Sequence, residues 1–237
     1  MKSYIDELDR NIFNFVEYEG YDDRYPSLSM QAFSSDFYDE IRHASRRLFQ
    51  IFCKAAKVFQ MAPDDFARNM DMPDNLIPYL HKSNALGLPT WLSRFDFVLD
   101  VNGNLRMVEL NADTPCFLIE SYYANEVAAN YVGRKHPNIE CRKELHTFLK
   151  RMYDVVLSAK YGRNQYESMR ANRESLPKDP FVFSCFHDYF EDYGTTQFLM
   201  KELKTACPEA DTRFISFYDM KIDDEGIPLE DGSHATL

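Results

Sequence analysis

The sequence predicts an α/β protein, because three kinds of hydrophobic spacing follow one another along its 237 residues. Apolar residues recur at three- and four-residue steps over 37–59, which is typical of a helix with one apolar face. The spacing changes to two over 92–110, which is typical of strands. Two short apolar segments, 181–186 and 213–217, flank an amphipathic stretch, and this order predicts a strand–helix–strand unit with parallel strands.

Most of the first hundred residues are predicted to be helical. The apolar stripe over 37–59 is expected to be buried, and Ser34 or Ser35 can cap the first turn of that helix. Two shorter helices are expected to begin near Pro63 and Pro73, because proline fits the first turn of a helix.

Further helices are predicted over 115–132 and 138–160, whereas the polar residues 161–179 are typical of a linker. We therefore expect two regions. Residues 1–160 form a helical region that contains the period-two segment, and residues 161–237 form the strand–helix–strand region.

The composition excludes several classes of protein. The chain is 45% hydrophobic and has a net charge of −11, so it is too apolar for a disordered chain and too acidic for a reader of nucleic-acid backbones. Such a charge would instead attract a metal ion or a basic small molecule. The N-terminus has no apolar signal core, and no apolar run approaches the roughly 20 residues of a membrane span. We therefore expect a cytoplasmic protein without nucleic-acid or membrane partners.

The period-two segment predicts a β-hairpin. Asn102 and Gly103 are typical of a two-residue type I′ turn, in which both residues take positive φ. This turn would pair Val101 with Asn104, Leu99 with Arg106, Asp96 with Glu109 and Arg94 with Asn111. Because side chains alternate between faces, one face would carry four polar residues: Arg94, Asp96, Glu109 and Asn111. The other face would pack into a core with four apolar residues: Phe95, Phe97, Val108 and Leu110.

The polar face of this hairpin is a candidate metal site. Two carboxylates directly opposite each other destabilise a sheet, and a divalent cation would reverse that effect. Carboxylate and amide oxygens suit Mg²⁺, which usually binds alongside substrate phosphates. Arg94 offers a planar guanidinium for a phosphate or carboxylate. The alternative is a solvent-exposed hairpin in which Arg94 pairs with Asp96 or Glu109.

The residues after the hairpin are predicted to begin a helix, with Asp113 or Thr114 as the cap and Pro115 in the first position. The free N–H groups of this helix would face the hairpin and could hold an anion. Thr114 and Cys116 would lie on the first turn, and Glu120 one turn further on. Thr114 could equally be a simple cap, and Cys116 is expected to be a packing residue rather than a nucleophile.

Several segments resemble the signature of the glutathionylspermidine synthase family. They are Arg94-Phe95-Asp96, the segment Glu109-Leu110-Asn111-Ala112-Asp113-Thr114-Pro115, Glu191-Asp192 with Thr195 or Thr196, and the Tyr18-Glu19 and Tyr25 region. The resemblance implies an ATP-grasp-related α/β fold. A helical N-terminal part with a catalytic β-hairpin would precede a partial Rossmann-like preATP-grasp strand–helix–strand segment.

The resemblance also implies roles for individual residues. Asp96, Glu109 and Asn111 would hold Mg²⁺, and Arg94 would stabilise the transferring phosphoryl group of ATP. Thr114 and Cys116 would contact a glutathione-like peptide, with Glu120 in the same substrate site. Glu191 and Asp192 would bind a polyamine, which agrees with the tendency of ligands to lie at the carboxyl ends of parallel strands. The alternative is that these two acids merely complement the helix dipole.

The function implied is an ATP- and Mg²⁺-dependent carboxylate–amine ligase, in which a peptide carboxylate is activated as an acyl phosphate and attacked by a polyamine amine. Chains of this family continue into a Tyr-Pro-Trp-Glu block and later ATP-binding loops. These are not found before Leu237, nor is a glycine-rich phosphate loop, so we expect a fragment or a shortened relative. The alternatives are an inactive peptide- or polyamine-binding module and a metal-dependent phosphoester hydrolase, which the lack of a histidine ligand disfavours.

Overall fold

The structure, a computed structural model, describes residues 3–17, 25–84, 90–113, 115–171 and 179–235. The chain divides into two compact units: Met30–Pro115, and Met1–Ser29 together with Cys116–Leu237. We call them the hairpin unit and the βαβ unit, and each is described by itself. The boundary expected at residue 160 lies within the βαβ unit, so that division stays a proposal about which segments act together.

The hairpin unit begins with helices α1 (Ser35–Gln60) and α2 (Asp64–Asn69), followed by a 3-10 turn (Asp74–Leu76) and α3 (Ile77–Ser83). The Ser34 hydroxyl caps α1 by accepting a hydrogen bond from the Phe37 N–H at 3.1 Å, as predicted. The second and third helical segments follow Pro63 and Pro73, also as predicted.

The apolar stripe of α1 is not buried as expected. No residue of α1 is buried, and Ile51 and Val58 are 57% and 68% exposed. The reason is the size of the elements around it. In the described part of this unit, a 26-residue helix meets only two helices of six and seven residues and a two-stranded hairpin. These elements are too small to cover its whole length.

Strands β1 (Arg94–Leu99) and β2 (Leu105–Asn111) form the antiparallel hairpin, but its turn differs from the prediction. The Gly103 N–H donates to the Asp100 carbonyl, and the Asp100 N–H donates to the Asn104 carbonyl, both at 2.9 Å. Gly103 has a φ of +79°, whereas Asn102 does not take positive φ. The connection is therefore a three-residue loop closed by a left-handed glycine, not a type I′ turn.

The three-residue loop shifts the pairing by one residue near the turn, so that Leu99 pairs with Leu105 and not with Arg106. A β-bulge between Asp96 and Phe97 shifts it back. As predicted, Asp96 lies opposite Glu109 and Arg94 opposite Asn111. The apolar face differs from the prediction at one position, because Met107, and not Val108, pairs with Phe97. Val108 is the extra residue of the bulge and is 58% exposed.

In the βαβ unit, the helix predicted over 115–132 begins later than expected. A 3-10 turn (Tyr4–Glu7) opens this unit, and after the hairpin unit the chain forms a π-helix (Ile119–Ala124) that continues into α4 (Asn125–Tyr131). Pro115 is not the first helical residue, because Phe117 has a φ of +81°, which no helix accommodates. The anion site predicted at Thr114 and Pro115 required a helix N-terminus at these residues, and the helix does not begin there. Thr114 itself lies outside the described residues.

The segment predicted as a linker is largely helical. Helix α5 (Ile139–Tyr161) is followed after one glycine by α6 (Arg163–Ala171). Tyr166 holds α6 in place, since it is buried and its hydroxyl donates to Asp154 at 2.7 Å. The rest of that segment before Asp179 lies outside the part that the structure describes.

The strand–helix–strand unit has the predicted order and direction. Strand β3 (Pro180–Cys185), helix α7 (Phe190–Ala206) and strand β4 (Asp211–Ser216) follow one another, and the two strands are parallel. A short antiparallel pair, β5 (Ile227–Pro228) and β6 (His234–Ala235), follows a turn. The core of this unit lies chiefly between α5 and α7, with Leu149, Tyr153, Leu157, Phe198 and Leu203 buried.

A buried ionic network joins α4, α5 and α7. Glu202, with 1% of its side chain exposed, accepts two hydrogen bonds from Arg142, at 2.7 and 3.1 Å, and one from His146. Arg142 also donates to Glu126 at 2.9 Å. Burial alone would raise the pKa of Glu202, but the hydrogen bonds from Arg142 and His146 outweigh it, so the pKa is lowered and the group stays ionised.

Helices long and apolar enough to cross a membrane are not found among the described residues.

Candidate functional site

The hairpin brings four predicted site residues together on one face. The Arg94 guanidinium binds both carboxylate oxygens of Asp96, through Nε at 2.6 Å and Nη2 at 2.9 Å. It also lies 4.0 Å from the Glu109 carboxylate. Asn111 Nδ2 donates to Glu109 at 2.7 Å and reaches Asp96 at 3.5 Å. Two carboxylates, an amide and a guanidinium thus converge at the end of the hairpin away from its turn.

The geometry of this face keeps Asp96 ionised. The hydrogen bond from Arg94 holds the pKa of the Asp96 carboxyl below its usual range. The group remains about one third exposed, so an incoming ligand can reach it. Each carboxylate oxygen has two lone pairs, so Asp96 can accept from Arg94 and still bind a metal ion.

The oxygen ligands on this face could supply part of the coordination shell of Mg²⁺. Within the described ranges, no three His, Cys, Asp or Glu side chains are grouped closely enough to hold a metal ion. The hairpin instead offers two carboxylates and one amide oxygen, from Asp96, Glu109 and Asn111. Mg²⁺ commonly takes one or two protein carboxylates and completes its shell with water and substrate phosphates. The face therefore suits a metal ion that arrives with a phosphate ligand.

Four other predicted site residues lie in the βαβ unit. The Cys116 thiol donates to the Asp192 carboxylate at 3.3 Å, and Glu191 and Asp192 belong to the first turn of α7. Burial raises the pKa of the Cys116 thiol to about 12, and the charges of Asp192, Glu191 and Glu120 add to this effect. Cys116 is therefore a protonated hydrogen-bond donor, like the hydroxyl residue that the resemblance implies at this position, and not a nucleophile.

Because only the thiolate reacts with alkylating agents, we expect iodoacetamide to modify Cys116 about tenfold or more slowly than a thiol of ordinary pKa. Asp192→Asn removes the accepting carboxylate and should accelerate alkylation of Cys116 about threefold or more. Peptide mapping by mass spectrometry at pH 8 measures both rates. Cys53, which is also half-buried, is the internal reference, and equal rates at Cys53 and Cys116 would contradict the assignment.

Glu120 gains a partner that the sequence analysis missed. Its Oε1 accepts a hydrogen bond from the Tyr25 hydroxyl at 2.9 Å, across 95 residues of chain. The only signal in the sequence was the resemblance around Tyr25. The neighbouring Tyr18 and Glu19 lie outside the described residues.

An aromatic cluster at the carboxyl ends of β3 and β4 was also missed. The ring of Phe186 lies 5.2 Å from that of Phe217 and 5.0 Å from that of Tyr218, measured between centroids. His187 Nδ1 and Ser216 Oγ are hydrogen-bonded at 2.7 Å. Phe186 and Phe217 were predicted as the last residues of the two strands, but each directly follows the observed strand. Single aromatic residues at the end of a strand have no specific meaning in a sequence.

The mixed α/β structure is consistent with the family that a comparison with known families finds. The chain matches the family model described as glutathionylspermidine synthase preATP-grasp over residues 4–235. A comparison with curated proteins finds no match. Because the family model covers nearly the whole chain, the protein belongs to the glutathionylspermidine synthase preATP-grasp family.

Proposed function

We propose that this chain supplies the metal- and phosphate-binding hairpin of an ATP- and Mg²⁺-dependent ligase that joins a peptide carboxylate to a polyamine amine. The observation that supports it most is the opposed pair Asp96 and Glu109, with Arg94 and Asn111 on the same face. In this proposal residues 1–160 contain the phosphate site, and residues 161–237 form the preATP-grasp-like substrate region.

Asp96, Glu109 and Asn111 would hold the metal ion. Bound there, Mg²⁺ would neutralise the negative charge that spreads over the oxygens of the transferring phosphoryl group of ATP. Arg94 is already held beside the carboxylates by Asp96, so its guanidinium is oriented before any substrate binds. It would stabilise the transferring phosphoryl group and the acyl phosphate through paired N–H donors.

The substrate residues are proposed in the βαβ unit, apart from Thr114, which belongs to the hairpin unit and lies outside the described residues. Thr114 and Cys116 would contact a glutathione-like peptide, with Cys116 acting as a hydrogen-bond donor, and Glu120 would belong to the same site. Glu191 and Asp192 would bind and orient the polyamine. An amine attacks only after it loses a proton, and a carboxylate beside it favours the correct orientation of the remaining N–H groups.

One observation favours a second candidate, a polyamine- or peptide-binding module without ligase activity. The negative charges of Glu120, Glu191 and Asp192 all raise the pKa of the Cys116 thiol, and all four residues belong to the βαβ unit. Binding of a cation to this unit would therefore not require the phosphate chemistry of the hairpin.

Calorimetry on the 237-residue chain separates the two. For the ligase we expect saturable binding of ATP with Mg²⁺, lost when the metal is chelated, and weaker by about tenfold or more in Asp96→Asn. Glu40→Gln, an exposed residue of α1, removes a charge from the same unit and should leave binding unchanged. Binding of spermidine without any binding of ATP would instead support the module.

A further inference from the structure

The βαβ unit contains a cavity of about 490 Å³ that includes none of the residues of the proposed substrate site. Three parts of this unit line it: the N-terminal segment before Phe13, one side of α7, and the start of β4. The main polar side chains of the lining are Asp9, Asn11, Gln197, Lys201, Lys204 and Thr212. Lys201 lies roughly 14 Å along the axis of α7 from Asp192, so the cavity is toward the opposite end of this helix.

Two lysines give one wall of this cavity a positive charge. Lys201 and Lys204 are three residues apart on α7, so their side chains lie on the same side of the helix. The Lys204 ammonium donates to the Ala210 carbonyl at 2.6 Å, which fixes its position and leaves two of its protons for a ligand. Lys201 makes no ion pair within the described ranges. It also precedes the last turn of α7, so the helix dipole does not account for its charge.

The other polar side chains of the lining can bind hydroxyl groups. The Asp9 carboxylate accepts two hydrogen bonds from Asn11, both at Oδ1, at 2.9 and 3.0 Å. Its Oδ2 can therefore accept a hydrogen bond from a ligand. This carboxylate would repel a bare anion, whereas a hydroxyl group would donate to it. The Gln197 amide and the Thr212 hydroxyl add neutral donors and acceptors.

The N-terminal wall of the cavity is held in place before a ligand binds. Phe13 is fully buried, and its N–H donates to the Asp9 carbonyl at 2.9 Å. The Asp9 N–H in turn donates to the Tyr123 hydroxyl at 2.6 Å. Aromatic side chains do not occur in the described lining, so a nucleobase would have no ring on which to stack. The cavity therefore suits a small hydroxylated anion better than a nucleotide.

We propose that this cavity binds a phosphomonoester of a small polyol, the class to which sugar phosphates belong. The phosphate carries a charge of about −2 at neutral pH and would accept hydrogen bonds from Lys201 and Lys204. The hydroxyl groups of the ligand would donate to Asp9, and the cavity volume is within the range of small-molecule sites. The inference goes beyond the proposed ligase. Its test uses neither ATP nor Mg²⁺, so a failure here leaves the ligase proposal open to its own test.

The test is calorimetric titration of the chain with glucose 6-phosphate, and with glucose and inorganic phosphate as the two halves of that ligand. We expect saturable one-to-one binding of the ester, binding of inorganic phosphate that is about tenfold or more weaker, and no binding of glucose. Lys201→Gln should weaken binding of the ester about tenfold or more, because a charge-assisted hydrogen bond is lost. Asp9→Asn should weaken binding of the ester about threefold, because it removes the acceptor for a hydroxyl group, but it should not weaken binding of inorganic phosphate.

Lys143→Gln is the matched control, since it removes an ammonium group that is 71% exposed on α5 of the same unit. Circular dichroism verifies that each variant is folded. The proposal is overturned if the wild-type chain does not bind glucose 6-phosphate, or if glucose or inorganic phosphate binds as tightly as the ester. It is also overturned if Lys143→Gln weakens binding as much as Lys201→Gln does. Should Lys201→Gln not fold, equal effects of Asp9→Asn on the ester and on inorganic phosphate would still overturn it.

Discussion

Replacing Glu109 by glutamine is expected to reduce the Mg²⁺-dependent ATP turnover of the proposed ligase by at least about a hundredfold. The substitution preserves shape but removes one of the two carboxylates that would hold the metal ion, and metal stabilisation of a phosphoryl transfer is worth several kcal/mol. Release of ADP at saturating ATP and Mg²⁺ measures the effect. Glu109→Asp keeps the charge on a shorter side chain and should retain part of the activity.

The same variant distinguishes a metal ligand from a structural residue. Glu109 lies directly opposite Asp96, and like charges across a ladder destabilise a sheet. Glu109→Gln should therefore leave the melting temperature unchanged or raise it while activity is lost. Glu40→Gln is again the control for a lost surface charge. Full turnover by Glu109→Gln, or a lowered melting temperature that accounts for its lost activity, would contradict the metal assignment.

Arg142→Met is expected to destabilise the folded chain by about 3–5 kcal/mol, because it leaves the buried Glu202 carboxylate without its main partner. His146 still donates one hydrogen bond to Glu202, but the two from Arg142 are lost. Urea unfolding at pH 7, monitored by circular dichroism, measures the free energy of unfolding. A loss below about 1 kcal/mol would show that solvent reaches Glu202 and replaces Arg142.

The double variant Arg142→Met with Glu202→Met tests the cause of this loss. Replacing both partners of a buried ion pair by apolar residues often restores stability, so we expect the double variant to recover most of the deficit.

The pH dependence of this stability has a defined sign. In the wild type the lowered pKa of Glu202 stabilises the fold above the unfolded pKa, and this contribution is lost as pH falls through the folded pKa. In Arg142→Met the deficit should instead shrink at acidic pH, because protonation removes the uncompensated charge.

The sequence predicted the polar face of the hairpin from a turn that does not form. Asn102 and Gly103 signalled a hairpin, but the loop contains one residue more than predicted, and the bulge at Val108 contains another. The two shifts cancel before Asp96. The pairs of the candidate site, Asp96 with Glu109 and Arg94 with Asn111, were therefore predicted, whereas the pairs near the turn were not. A bulge depends on packing across two strands, and no single residue type in β2 signals it.

The predicted helix boundaries were wrong where tertiary structure determines the backbone conformation. Pro115 is a good first helical residue, but the left-handed Phe117 delays the start of the helix to Ile119. Helix α6 was missed because its polar composition resembles that of a linker, and one buried residue, Tyr166, holds it to α5.

Contacts between residues that are far apart in the sequence could not be predicted. Tyr25 and Glu120 are 95 residues apart, and Cys116 and Asp192 are 76 apart. Hydrophobic spacing describes an element and its neighbours, but it does not say which side chain of one element meets which side chain of another. The residues of the site could therefore be predicted as types in a motif, while their partners required the structure.

The protonated state of Cys116 also has a consequence for redox chemistry. Thiol–disulfide exchange and oxidation to sulfenic acid both require a thiolate, and a pKa of about 12 leaves very little of it at neutral pH. A peptide that contains its own thiol, as the proposed substrate does, could lie beside Cys116 without forming a mixed disulfide. Burial, together with the carboxylate that orients Cys116 as a hydrogen-bond donor, would thus protect the proposed site from covalent capture of a thiol-containing substrate.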